Sequence, residues 1–163
     1  MLNGSYDINE VRDFLVSIGL PDAKFGAQRT YIFDKQQLAP GAVSNPFPIK
    51  FRVPIVALGV MGQVSTGLDA DYASAELRLQ FGSQEDAWDN GYGVGVSAPL
   101  LMLFGRFNKP FYDFVRPRFA RAGITYTATF SNTSAGATYT PSAGVRVIEL
   151  DPTSIPKNYA QQV

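Results

Sequence analysis

The sequence predicts a mainly β fold: an antiparallel two-sheet sandwich, jelly-roll-like, with a short N-terminal helix and an extended C-terminal tail. Three observations carry this. Short segments in which apolar and polar residues alternate recur through the middle of the chain, ITYTATF at 124–130 being the clearest. Gly, Pro, Asn and Asp cluster between these segments as turn signals. Helical periodicity is confined to one short stretch near the start. With 163 residues and 45% hydrophobic content, the chain can bury a sizeable core in one domain. The expected organisation is an N-terminal segment with the helix at 1–22, the sandwich at 23–151 and the tail at 152–163.

Taken in order, Asp7-Ile8-Asn9-Glu10 has the form of a capping box, with an acceptor at the N-cap and Glu three residues on. Val11, Phe14, Leu15 and Ile18 then follow at i, i+3, i+4 and i+7, one face of a helix. Gly19 and Pro21 stop it. A helix this short is marginal alone in water. Its apolar face therefore closes one end of its own sandwich or docks on a neighbouring subunit.

Thr30 to Phe33 is a short strand and Ala39-Pro40-Gly41 a turn. In FPIKFRVPIVAL at 47–58, Ile49, Phe51 and Val53 alternate with Lys50 and Arg52. Pro48 and Pro54 limit this strand to a sheet edge, or mark a bend where the chain changes sheets. Gly59, Gly62 and Gly67 predict a turn-rich region. Ala75, Leu77, Leu79 and Phe81 alternate with Glu76, Arg78 and Gln80 in a further strand. Residues 82–91 form an acidic loop with the single tryptophan, and Tyr92, Val94 and Val96 suit another strand.

The stretch 99–130 organises the rest. Leu100 to Phe104 is a short apolar run that suits a strand buried on both faces. Between 105 and 121 rings and prolines crowd together. Pro110 and Pro117 argue against helix and central ladder alike, so an extended loop laid across one end of the core is expected. Ala122-Gly123 is a turn, and Ile124, Tyr126, Ala128 and Phe130 then alternate with Thr125, Thr127, Thr129 and Ser131. Residues 131–143 read as a polar loop or hairpin around Tyr139. Val145 to Leu150 is the last strand, closed by Asp151-Pro152.

Composition excludes much chemistry. Without cysteine there are no disulfides, thiolate metal sites or cysteine nucleophiles. Without histidine the commonest general base and transition-metal ligand are missing. Asp69/Asp71 and Asp86/Asp89 are the tight carboxylate pairs, and both sit where Asp serves turn geometry. Gly91-Tyr92-Gly93-Val94-Gly95 lacks the lysine and following helix of a phosphate loop. No enzyme activity, cofactor or metal is expected. Fourteen basic residues balance fourteen acidic ones, so neither membrane nor nucleic acid is the expected partner. The start lacks a basic-then-apolar leader pattern, which predicts synthesis and retention in a cytosol.

What remains are contact surfaces. Arg106, Lys109, Arg116, Arg118 and Arg121 face only Asp113 between 106 and 121. They either pair with carboxylates elsewhere in the fold or present a positive surface to an acidic partner protein. The candidate contacts are Val11, Phe14, Leu15 and Ile18 on the helix, with Phe107, Lys109, Phe111, Arg116, Arg118 and Arg121 on the crossing. An alternative is a carbohydrate- or receptor-binding platform built from Asp86, Trp88, Asp89 and Tyr92.

The segment 111–150 resembles the C-terminal half of small β-sandwich virion proteins of tailed bacteriophages. The resemblance lies in the crossing KPFYDFVRPRF, the turn ARAG, the strand ITYTATFSNTS and the final strand GVRVIEL. It implies a non-enzymatic capsid decoration or minor capsid subunit, made in the host cytoplasm and residing in the virion. It also implies binding to major capsid or neighbouring subunits and association with further copies of itself. On the alternative reading the chain is a module of a fibre or tail.

Overall fold

The structure, a computed structural model, describes residues 6–33, 36–63, 74–81, 84–85, 98–100 and 111–157. Two antiparallel sheets pack face to face, with one helix on the outside. The helix α1 (Ile8–Ser17) begins where the sequence places it. The Asp7 carboxylate accepts from the Asn9 and Glu10 amides at 2.8 and 2.9 Å. Glu10 returns the favour to the Asp7 amide at 2.8 Å. Gly19, at φ 87°, ends it: the Leu20 amide turns back to the Leu15 carbonyl at 2.8 Å.

The strands are β1 (Phe25–Ile32), β2 (Phe47–Lys50), β3 (Ile55–Gln63), β4 (Ala75–Phe81), β5 (Gln84–Glu85), β6 (Ala98–Pro99), β7 (Phe111–Ala120), β8 (Thr125–Asn132) and β9 (Ser142–Leu150). One sheet has the order β1-β9-β3-β7 and the other β2-β8-β4, with β5 and β6 along the free side of β4. The pairs β1–β9, β2–β8, β3–β7 and β4–β6 nest inside one another, as in a single long hairpin. β3–β9 and β4–β8 are the further pairings that complete the two sheets.

Both prolines of the 47–58 segment behave as their chemistry requires. Pro48 lies in β2, an edge strand of four residues, where a missing amide costs little. Pro54 sits between β2 and β3, which belong to different sheets, so the chain crosses the sandwich there. The alternation read in β8 holds from Tyr126 onward: Tyr126, Ala128, Phe130 and also Asn132 point inward and are buried, the residues between them are half-buried, and Ile124 precedes the strand and is half-buried. The core between the sheets includes Phe33, Phe51, Ile55, Leu77, Leu79, Val145 and Val147. Rings run through it edge to face, Tyr31 on Phe51 at 5.2 Å and Phe51 on Tyr126 at 5.9 Å.

Two expectations are corrected, and a third is decided in favour of its loop alternative. Residues 111–120 are not a loop over the end of the core but the edge strand β7. Pro117 is tolerated because four β7 residues, 114–117, lie opposite the single residue Leu58, so the ladder is already open at the proline. Gly59 and Gly62 do not make turns: they lie inside β3, the strand between β9 and β7. Residues 131–143 form no hairpin, since β8 and β9 belong to different sheets and the loop between them crosses the sandwich. Buried Asn132 organises that loop. Its amide donates to the Leu38 and Ala137 carbonyls at 3.0 and 2.7 Å, and its carbonyl accepts from the Ser134 amide and hydroxyl at 3.0 and 2.7 Å.

The start of the C-terminal segment packs against the domain. Asp151 caps a 3-10 turn at Pro152–Ser154, the Ser154 hydroxyl accepts from the Lys24 amide at 2.9 Å, and Ile155 joins the apolar cluster under the helix. Residues 158–163 lie outside the described residues, as do 101–104 of the predicted apolar strand; Leu100, directly after β6, is buried in the core.

Candidate contact surfaces

The outer side of the β1-β9-β3-β7 sheet is where the helix sits. Val11 and Leu15 are 0% and 1% exposed. They pack with Val56 and Leu58 of β3 and Ile148 and Leu150 of β9, flanked by Phe14, Ile18, Phe25 and Phe119. The Arg12 guanidinium lies 4.8 Å from the Phe25 ring centroid and adds a tie to β1. Val11 and Leu15 are therefore not docking residues. Nor does the helix close an end of the sandwich: it lies across a sheet face, because β9 and β3 present apolar side chains on both faces. Phe14 and Ile18 are half-buried in the same cluster.

Beside the helix, Arg146 of β9 is in register with Gly59 of β3, and Gly59 with Asp113 of β7. Arg146 forms an ion pair with Asp113 across β3, with side-chain exposures of 3% and 20%. Glycine at 59 leaves that path clear, which is why a strand interior carries it. Burial pulls the Arg146 guanidinium below its ordinary pKa. The Tyr6 hydroxyl donates to the Phe114 carbonyl in the β7 bulge and ties the lead-in of α1 to the same region. This network was not singled out from sequence. Its signal was a charged residue, Arg146, in a strand otherwise apolar from Ala143 to Ile148.

The crossing residues divide. Arg118 is half-buried, its guanidinium 5.9 Å from the Phe114 ring centroid, and Arg121 is half-buried ahead of the Gly123 turn. The Phe111 and Arg116 backbones belong to β7. Phe107 and Lys109 lie outside the described residues, and so do Asp86, Trp88, Asp89 and Tyr92 of the alternative platform, together with Asp69 and Asp71.

Two further surfaces emerge. On the outer face of the second sheet, Thr125, Thr127, Thr129 and Ser131 line up along β8. Lys50 is in register with Thr125, Arg78 with Thr129 and Glu76 with Ser131. At the opposite edge of the sandwich, Glu149 pairs with Arg29 at 3.0 Å and accepts from the Tyr31 hydroxyl. The Tyr31 bond, then Arg29, hold the Glu149 carboxyl below its ordinary pKa. Burial first, then Glu149, raise the Tyr31 phenol. Among the described residues no three acidic side chains gather as a metal site would need, and no helix is long and apolar enough to cross a membrane. No protein-family model matches the chain, and no curated protein matches it.

Proposed function

We propose that the chain is a non-enzymatic structural subunit of a tailed-bacteriophage particle, a head decoration or minor capsid protein that binds neighbouring capsid subunits. The observation that carries this reading is the nested strand pairing. First strand with last, second with eighth, third with seventh and fourth with sixth is the connectivity of a hairpin rolled into two sheets. We read it as a jelly roll, an architecture at home in viral capsid domains. The sequence resemblance over 111–150 supports the same assignment. Fold-level analogy supplies the class of role and leaves the site to be argued from surfaces.

With Val11 and Leu15 withdrawn into the protein, the contact surfaces of this proposal shift to the half-buried Arg118 and Arg121 and, separately, to the hydroxyl row of β8. Gold-labelled antibody on particles from the native source tests the reading. Label on assembled heads is expected. Label on tails or fibres would transfer the protein to the receptor-binding class, and label on no particle would overturn the virion assignment.

A further inference from the structure

Sheet edges in natural proteins are normally guarded against pairing with other chains. Here β7 is opened by its bulge and carries Pro117, β2 is four residues long with Pro48, and β5 and β6 have two residues each. β1 differs. From Gln28 to Ile32 it pairs residue by residue with Ile148 to Gly144, with no bulge and no proline. Among the described residues no strand lies on its other side, and every residue from Gly26 to Thr30 is exposed. Ile32 at its end is 61% exposed.

The direction of its free groups follows from the ladder. The Phe33 amide donates to the Ala143 carbonyl at 2.9 Å. In an antiparallel pair such bonds fall on alternate residues. Residues 33, 31 and 29 therefore face β9, and the amides and carbonyls of Gln28, Thr30 and Ile32 face outward.

We propose that this edge pairs with the same edge of a second copy, antiparallel, about a two-fold axis at Thr30. The sequence is complementary to itself in that register. Thr30 meets Thr30 of the second copy, a favourable cross-strand pair. Arg29 meets Tyr31 twice, once on each side of the axis, placing a cation beside a ring. Gln28 meets Ile32, covering the exposed isoleucine. No like charges face each other. Three outward-facing pairs supply about six main-chain hydrogen bonds, and the two four-stranded sheets become one of eight strands. A two-fold contact of this kind is closed, so it stops at a dimer. Glu149 stiffens the edge beforehand by holding both Arg29 and Tyr31.

The pairing does not rest on the virion reading, and its test is separate. The full chain should sediment as a concentration-dependent monomer–dimer equilibrium. Because the chain has no cysteine, Thr30→Cys should give a disulfide-linked dimer in air. Gln28→Cys alone should not, whereas Gln28→Cys mixed with Ile32→Cys should cross-link. Thr30→Lys and Thr30→Glu should each sediment as monomers, and an equal mixture should recover the dimer. A native chain that stays monomeric at every concentration would overturn the pairing and leave the gold-label result untouched. A dimer indifferent to Thr30→Lys, or one that cross-links through Gln28→Cys alone, would overturn this register even if a charge variant misfolds.

Discussion

Asp113 and Arg146 place an ion pair over the middle strand of a three-strand run, and its worth depends on how little water reaches it. Arg146 is almost wholly enclosed and Asp113 is not. Removing the carboxylate takes the Asp113 ion pair from the enclosed guanidinium. We expect Asp113→Ala to lower unfolding free energy by about 2–3 kcal/mol, toward the lower end for a buried pair because Asp113 is partly wet. Asp113→Leu with Arg146→Met should recover most of that loss, and denaturant titration of the three variants checks it. Glu149 sets a pH dependence. Its folded-state pKa lies below the unfolded value, so its stabilising contribution is present above that value, about 4.3, and fades as pH falls through the folded pKa. Tyr31 works at the other limit: raised in the folded state, it stabilises below about pH 10 and loses that contribution as pH rises further. Melting temperatures of Glu149→Gln should accordingly fall less than those of the native chain between neutral pH and pH 3. At this scale the sequence was least legible. Arg146 is visible as a charge between valines, but its partner is a strand that looked like a loop, and Gly59 as the clearing between them has meaning only once three strands are in register.

The helix was legible in every part except its destination. Capping box, apolar face and glycine stop are local, so sequence alone determines them. What the face meets depends on β9 and β3 being apolar on both sides, and alternation within a strand does not say what covers its second face. Leu15→Ala should destabilise the protein by about 3 kcal/mol through cavity formation under the helix, read by chemical denaturation. Removing residues 1–20 uncovers Val56, Leu58, Ile148 and Leu150, and the shortened chain should lose its cooperative melting transition. A shortened chain that melts as the native one does would restore the docking role to the helix. The strands show the same division. Pro48 and Pro54 were readable because an edge and a sheet change are the common ways to accommodate proline. Pro117 misled because a four-residue bulge is a property of a strand pair, and only one partner was in view. Gly59 and Gly62 misled for the same reason: glycine punctuates loops locally, and a place inside β3 depends on neighbouring strands that one segment does not name.

The whole molecule is a set of long-range agreements. The class of fold was legible because repeated alternation and regular turns survive as local patterns. The strand order was not, since nothing in β1 names β9 as its partner. That pairing joins residues 25–32 to 144–150, and its consequence concerns synthesis. An emerging polypeptide cannot complete the β1-β9-β3 run until residue 150 has cleared the ribosome, so the early strands must wait with their apolar faces uncovered. Topologies that postpone distant pairings fold slowly and are exposed to aggregation meanwhile. Chains halted before residue 142 should stay protease-sensitive on the ribosome, and those released past 157 should become resistant in a single step, the last strand acting as the latch of the whole sheet.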